Sequence, residues 1–416
     1  MDDRFLATPV LGLSMMPATA VSAEESPTAA DLSIETISDD RAFLGLEPVW
    51  NRLVEEAEMD HPFARHEWMR AWWESFGAGN KLHILVVKLN ADPIAIAPLM
   101  LSRGQIYGWK IRRLQSMHND HSPRFDFIVG RCPERVYREI WNHLLNQRRS
   151  WDVLEIAQLR VGCRTLEELE RLAVAGGFLV GTWPSDQSPY IDLAAGWDEY
   201  LAQLSSQHKK KSRQRVRQLG QLGRVELEVI SSGARIEEAL QDGLRLEAAG
   251  WKTESGTAIQ CSPEVLKFYT ELAGASARAG TLRLIFLNVA GARIAFAYAL
   301  CYKNKLFVLK AGYDPQYATY SPYNVLCYLV FQDACERGLT EYEFLGANEG
   351  WKLRWAKATK SHCWLYVLQD TTPGRLIYWG KFRLTPKLKQ GWRALSGDGS
   401  PGHRIGAAAK AILLSS

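Results

Sequence analysis

The sequence predicts an α/β protein built from two copies of one unit, and three observations point there. At 416 residues the chain is longer than one hydrophobic core usually supports. The order of predicted elements between Ile34 and Trp183 recurs between Trp197 and Leu368. Each copy also places a tight-turn tetrapeptide between two strand-like runs, Asn90–Pro93 in the first and Ala290–Arg293 in the second.

In the first copy, helical spacing predicts helices over Phe43–Ala57 and Glu67–Phe76. Strands follow at Leu82–Lys88 and Ile94–Leu101, then strand-like stretches at Gln105–Leu114 and Phe125–Val129. A helix over Pro133–Asn146, a strand at Val153–Ile156, a helix over Thr165–Ala175 and a strand near Phe178–Trp183 close the unit. The second copy predicts helices near Trp197–Leu222, Ala234–Ala249 and Pro263–Ala279, then strands Leu282–Val289, Arg293–Cys301 and Leu306–Lys310. Helix Pro322–Arg337, strand Glu341–Leu345, a short helical stretch around Trp351–Lys357 and strand Cys363–Leu368 complete it. In both, helices come first, two hairpin-linked strands follow, and a helix crosses to a parallel strand. The copies join near residues 184–197. The expected organisation is a disordered leader at 1–30, domains at 31–190 and 191–370, and a basic tail at 371–416.

Composition places the chain among soluble globular proteins, with 47% hydrophobic and 23% charged residues. No run of 18 apolar residues appears, so no membrane-spanning helix is expected. The seven cysteines are scattered without a CxxC pair, which favours a reducing, cytoplasmic setting and argues against a metal site. Net charge is only +4, yet two segments are strongly basic. Lys209, Lys210, Lys211, Arg213, Arg215 and Arg217 crowd one predicted helix, whose stripe Leu201, Leu204, His208, Ser212, Val216, Leu219 docks it on the protein. The tail holds eight Lys or Arg against the single acid Asp398. Both suit an anionic surface and allow a membrane-peripheral location, while no DNA partner is expected.

Four places carry candidate chemistry. The strand–crossing–helix segment Lys305–Gly338 ends its strand at Gly312 and opens its helix with Ser321-Pro322, a strong start signal. A helix N-terminus reached from a strand can hold a phosphate, and Tyr317, Tyr320 and Tyr323 supply walls. The basic helix is the second place. Glu247 beside Trp251-Lys252 is the third, a carboxylate suited to a general base or to orienting an amine. The fourth is Glu343 on an otherwise apolar strand leading to Lys352 and Trp355, where burial would raise the carboxyl towards general-base range. His118 and His121 read as hydrogen-bonded turn residues. Walker, GxGxxG, HExxH and GxSxG motifs are absent.

The runs "LEAAGWK", "GTLRLIFLNVAGARIAFAYAL", "LFVLKAGYDPQYATYSPYNVL", "ERGLTEYEFLG" and "WKLRWA" resemble GNAT acyltransferases. The closest branch is the CelD-like or BioF2-like one, related to Fem peptidyltransferases, and the likeness covers roughly residues 195–370. AWWESFG, LVVKLNADPIAIAPLM and FDFIV resemble the degenerate first unit of the same proteins. The resemblance implies an α+β fold of two tandem GNAT-like domains, each a mixed, mostly antiparallel sheet flanked by helices. It also implies acetyl-CoA or another acyl-CoA as co-substrate, with Tyr320, Ser321, Tyr323 and Asn324 where the pyrophosphate binds. This segment departs from the usual glycine-spaced phosphate signature, and Fem relatives use aminoacyl-tRNA instead.

The expectation is therefore an acyl-CoA-dependent N- or O-acyltransferase, of the GNAT N-acetyltransferase type, acting on a cell-envelope or exopolysaccharide-related acceptor such as a glycan or peptide. Glu247 or Glu343 would accept the acceptor's proton and Tyr313 would protonate the leaving thiolate. Trp251, Lys252, Lys310, Lys352 and Trp355 would bind the acceptor or the oxyanion. The alternatives are a Fem-like aminoacyl-tRNA-dependent transferase and a non-catalytic binding module of a polysaccharide-synthesis complex.

Overall fold

A computed structural model describes residues 32–249 and 256–385. The leader, Trp251, Lys252 and the tail beyond Thr385 lie outside the described residues. One sheet of 13 strands runs through both copies in the order β1-β2-β3-β4-β6-β13-β7-β12-β11-β10-β9-β8, with β5 beside β3. The strands of the first copy are β1 (Leu32–Ile37), β2 (Lys81–Leu89), β3 (Asp92–Ile106), β4 (Trp109–Ser116), β5 (Ile128–Val129), β6 (Val153–Arg160) and β7 (Leu179–Asp192). Those of the second are β8 (Val225–Ile230), β9 (Leu282–Val289), β10 (Ala292–Tyr302), β11 (Lys305–Tyr313), β12 (Glu341–Glu343) and β13 (Ala358–Leu368).

The order is symmetric. Each copy lays down five strands of the main order, β5 of the first standing apart beside β3, and then surrenders its last to the other: β13 pairs with β6, β7 pairs with β12, and β7 and β13 pair antiparallel with each other. The expected join near 184–197 is therefore mostly strand, since β7 runs on to Asp192 and serves both copies. Four hairpins close with two residues each, Asn90-Ala91, Tyr107-Gly108, Ala290-Gly291 and Lys303-Asn304. Both loop residues have positive φ in every one, the geometry whose twist matches paired strands.

The helices are α1 (Asp40–Gly45), α2 (Glu47–Glu56), α3 (His66–Phe76), α4 (Pro133–Asn146), α5 (Arg164–Ala175), α6 (Trp197–Gln203) and α7 (Ser206–Gly220). Then come α8 (Ile236–Ala248), α9 (Pro263–Arg278), α10 (Pro322–Glu336) and α11 (Thr372–Trp379). Two predicted helices divide. Pro48 starts α2 afresh, and Ser205 caps α7 by accepting from the His208 N–H at 3.2 Å. Gln105–Leu114 proves to be a hairpin and not one strand, while β1 and β8, short edge strands, escaped prediction. Part of the tail is ordered as α11.

Helices α8 and α9 cover one face of the second copy's strands, and α6, α7 and α10 the other. Helix α8 approaches β10 closely because Gly243 has no side chain: a Cβ there would lie 2.4 Å from the fully buried Phe296 ring. Gly243→Ala should therefore cost about 1–3 kcal/mol through overpacking. The check is a lower denaturant midpoint with an unchanged m-value.

Candidate active site

The second copy contains an opened sheet. Strands β11 and β12 run parallel for only three pairs, Lys305↔Glu341 to Phe307↔Glu343. Phe344 then donates its N–H to the Pro189 carbonyl of β7 at 3.1 Å, which draws the chain away from β11. Strand β11 continues to Tyr313 against β10 alone, and Leu309 bulges from it, because Val308 faces Ala299 while Lys310 faces Tyr298. Beyond Phe307 its other edge pairs with no described strand, which leaves a cleft.

The first copy starts the same way and ends differently. Strands β4 and β6 also share three parallel pairs, Arg113↔Val153 to Gln115↔Glu155. There the gap is stitched shut. The Ala157 N–H donates to Ser116 Oγ at 3.0 Å, and the Phe125 N–H donates to the Gln158 carbonyl at 3.1 Å.

On one side of the cleft stands the start of α10. A 3₁₀ turn, Pro315–Tyr320, delivers the chain to Ser321, whose φ of 52° and ψ of 60° are left-handed. That geometry corrects the expected cap: the hydroxyl makes no cap bond, and the Ser321 carbonyl instead accepts from the N–H groups of Asn324 (3.0 Å) and Val325 (3.2 Å). Tyr320 and Ser321 remain half-exposed. Tyr323 packs on Trp351 with centroids 5.5 Å apart, and its hydroxyl, enclosed with Tyr342 and the Cys327 thiol, has its pKa driven upwards by burial. Asn324 Oδ1 accepts from Trp355 Nε1 at 3.4 Å. The polar atoms of Tyr323 and Asn324 thus face inwards, against the expectation that they meet a donor.

On the opposite face three polar side chains gather round Tyr269. Lys310 Nζ lies 5.5 Å from the Tyr269 ring centroid, and the His121 ring meets it edge-on at 5.8 Å. Glu247 is 1% exposed, accepts from the Ile259 N–H at 3.0 Å, and its charge helps push the Tyr269 phenol up, after burial itself. Gly312 fixes this corner, since a Cβ on it would fall 2.3 Å from the Leu246 carbonyl oxygen. Burial first, and the Lys310 charge second, pull the His121 pKa down to about 4, so its imidazole is neutral at pH 7. His121 comes from the first copy and was read from sequence as a turn residue. Tyr313, 40% exposed, sits at the mouth.

Residues 206–353 match the family described as "Acetyltransferase (GNAT) domain". The second copy is a GNAT domain. The fold is shared with FemX, which is 11% identical, with a TM-score of 0.55 over 79% of this chain and 98% of that one. A conserved protein of unknown function from Bacteroides thetaiotaomicron matches at 13% identity and a TM-score of 0.52, over 80% of this chain and 100% of its own. No curated protein sequence matches the chain.

Three of the predicted site residues turn out to brace the GNAT domain. Glu343 is fully buried and accepts from Arg124 Nη2 at 2.5 Å and from Lys360 Nζ at 2.6 Å. Burial alone would raise its carboxyl, but Arg124 and Lys360 outweigh that and hold it below the usual range. This corrects its reading as a general base. Lys352 donates to the carbonyls of Leu345 and Ala347, both at 3.0 Å, and pairs with Glu349 at 3.5 Å. Its three protons pin the loop after β12 and leave none for an oxyanion. Trp355 is fully buried, with His208 edge-on at 4.2 Å, so no ring face remains for an acceptor.

Around Glu343 an ion network joins the copies: Arg124, Lys360 with Glu341 (2.6 Å), and Lys305 with Asp60 (2.8 Å). His61 and His362 are buried in it. Burial, reinforced by the Arg124 charge, lowers His61 to about 3 and His362 to about 4. Both values lie below the ordinary 6.5, so the unfolded chain takes up these protons first as pH falls. Stability should be whole above pH 6.5 and be lost as pH falls towards 4, by about 1.4 kcal/mol per pH unit for each histidine. Denaturant midpoints across pH test this, with His362→Gln expected to flatten the slope. Arg124→Met should cost about 3–5 kcal/mol by leaving Glu343 buried with too little compensation, and adding Glu343→Leu should recover part of the loss.

Proposed function

We propose that the GNAT domain transfers an acyl group from an acyl-CoA to an amine or hydroxyl of a cell-envelope or exopolysaccharide-related acceptor. The observation that carries this is the asymmetry of the two copies: beyond Phe307 no described strand pairs with β11 on that edge in the second, whereas the matching gap is stitched shut in the first. Beyond Phe307, where no described strand runs beside β11, the gap would seat the donor's thioester. The acceptor enters on the Tyr269 face, where Lys310 and Glu247 orient it. His121, neutral at physiological pH, takes the proton as the acceptor attacks the carbonyl carbon. The tetrahedral intermediate then collapses, the carbon–sulfur bond breaks, and Tyr313 returns a proton to the thiolate. The half-exposed Tyr320 and Ser321 flank the phosphates.

A second reading, an aminoacyl-tRNA donor, is favoured by helix α7. None of its six clustered cations forms an ion pair with a described residue, and His208 of the same helix rests on Trp355, which bonds Asn324 in the first turn of α10. A long polyanion leaving the cleft there would meet that row of charge.

Calorimetric titration with acetyl-CoA and longer acyl-CoAs should show binding. Ser321→Asp should weaken it about five- to tenfold by placing like charge beside the pyrophosphate. His121→Ala should lower turnover about a hundredfold or more with donor affinity unchanged, and added imidazole should restore part of it. Activity abolished by RNase would select the tRNA reading. Failure to bind any CoA ester, with anionic polymer still bound, would instead leave a non-catalytic module.

A further inference from the structure

Away from the cleft, the tip of the β3–β4 hairpin and helix α11 form an exposed apolar patch. Tyr107 (37% exposed), Trp109 (45%), Leu376 (50%), Trp379 (56%) and Leu384 (37%) make up the patch. They are contiguous. Tyr107 Oη lies 3.3 Å from Thr385 Oγ1, and the Tyr107 ring lies so close to Gly380 that a Cβ there would be 3.0 Å from it. Trp109 stands opposite Ile106 and two residues before Ile111, and both isoleucines pack with Ile377 of α11, so its ring shares the α11 side. Leu376, Trp379 and Arg383 follow at helical spacing on the side turned away from the buried Ile377.

The two segments that form the patch carry charge of one sign, and Arg112, Arg113 and Arg375 meet their acids, Asp152, Glu155 and Asp370, from outside them. Residues 101–115 and 371–385 contain seven Lys or Arg (Arg103, Lys110, Arg112, Arg113, Arg375, Lys381, Arg383) and no acid. Arg103, Lys110 and Arg383 are exposed and form no ion pair with a described residue. Tryptophan and tyrosine rings beside such cations, Arg383 on α11 and Arg103 and Lys110 on the reverse face of the hairpin, suit the interface of an anionic bilayer, where rings sit at headgroup level and cations meet phosphates. The chain also continues from this corner through Lys387, Lys389 and Arg393, which extend the basic run. A protein partner would have to bring acids and an apolar surface together, whereas an anionic lipid surface supplies both. We infer that this face docks the protein on the surface of an anionic lipid bilayer, with Trp109 and Trp379 seated among the headgroups. Among the described residues no helix is long and apolar enough to cross a membrane, so the contact is peripheral.

Flotation of the full chain with vesicles tests it, using phosphatidylcholine alone and phosphatidylcholine mixed with phosphatidylglycerol. Binding should be confined to the anionic vesicles and should weaken with added salt. The pair Trp109→Ser, Trp379→Ser and the triple Arg103→Glu, Lys110→Glu, Arg383→Glu should each reduce partitioning about tenfold or more, with the thermal midpoint unchanged. Tryptophan fluorescence should be quenched by brominated lipid in the wild type and less in the pair. Equal binding of wild type and both variants would overturn the inference, as would no binding at all. So would binding lost only on charge reversal of Lys387, Lys389 and Arg393, or a self-association that the tryptophan pair abolishes without affecting lipid.

Discussion

The exchange of last strands between the two copies is the constraint on which the remaining structure depends. Strand β7 leaves the first copy to sit between β12 and β13, and β13 returns to lie against β6. Neither copy can complete its sheet alone, because each would expose an unpaired edge and an uncovered apolar face. The same exchange opens the cleft. The Pro189 carbonyl on β7 accepts from Phe344, and that bond turns the chain out of β12 after three residues. A strand contributed by one copy thus shapes the open gap of the other.

The ion network at the end of that exchange links packing to specificity of arrangement. Arg124, Glu343 and Lys360 come from three separate segments, and each is at least nine-tenths buried. Such groups tolerate burial only in mutual contact, so the copies meet in one register or pay a large desolvation penalty. Several of the network's atoms, among them Arg124 Nε and Glu343 Oε2, have no partner among the described residues. Order is therefore strict here, while a few rings and carbonyls away polar groups of both copies, His121 and Lys310, meet over Tyr269.

Much of the fold was legible because it rests on local signals. The two-residue hairpins, the Pro-led starts of α4, α9 and α10, and the long apolar strands β9 and β10 all announce themselves within a few residues. Edge strands β1 and β8 did not, since each fully buries only its last residue and their pattern is weak. Lys310 and Glu247, both singled out from the sequence, lie against Tyr269, a neighbour that the sequence did not indicate. Lys352, Trp355 and Glu343 do not serve a ligand, because partners distant in sequence absorb their donors, ring faces or charge. His121 was passed over for the converse reason: nothing in its loop shows that Tyr269 and Lys310 lie across from it.

The sequence by itself indicated two α/β units, a strand–turn–helix in the second, and a cationic face on α7. These follow from periodicity, turn chemistry and composition, which act over one or two helical turns, while the reading of that strand–turn–helix as an acyltransferase element came from its resemblance to a family. Tertiary structure alone decided that the units trade strands, that one gap is sewn shut while no described strand fills its counterpart, and which carboxylates are spent on ion pairs. Those outcomes depend on contacts between residues more than a hundred positions apart, such as Arg124 with Glu343. No local pattern encodes them, because the energy of a buried charge is set by whatever is brought beside it.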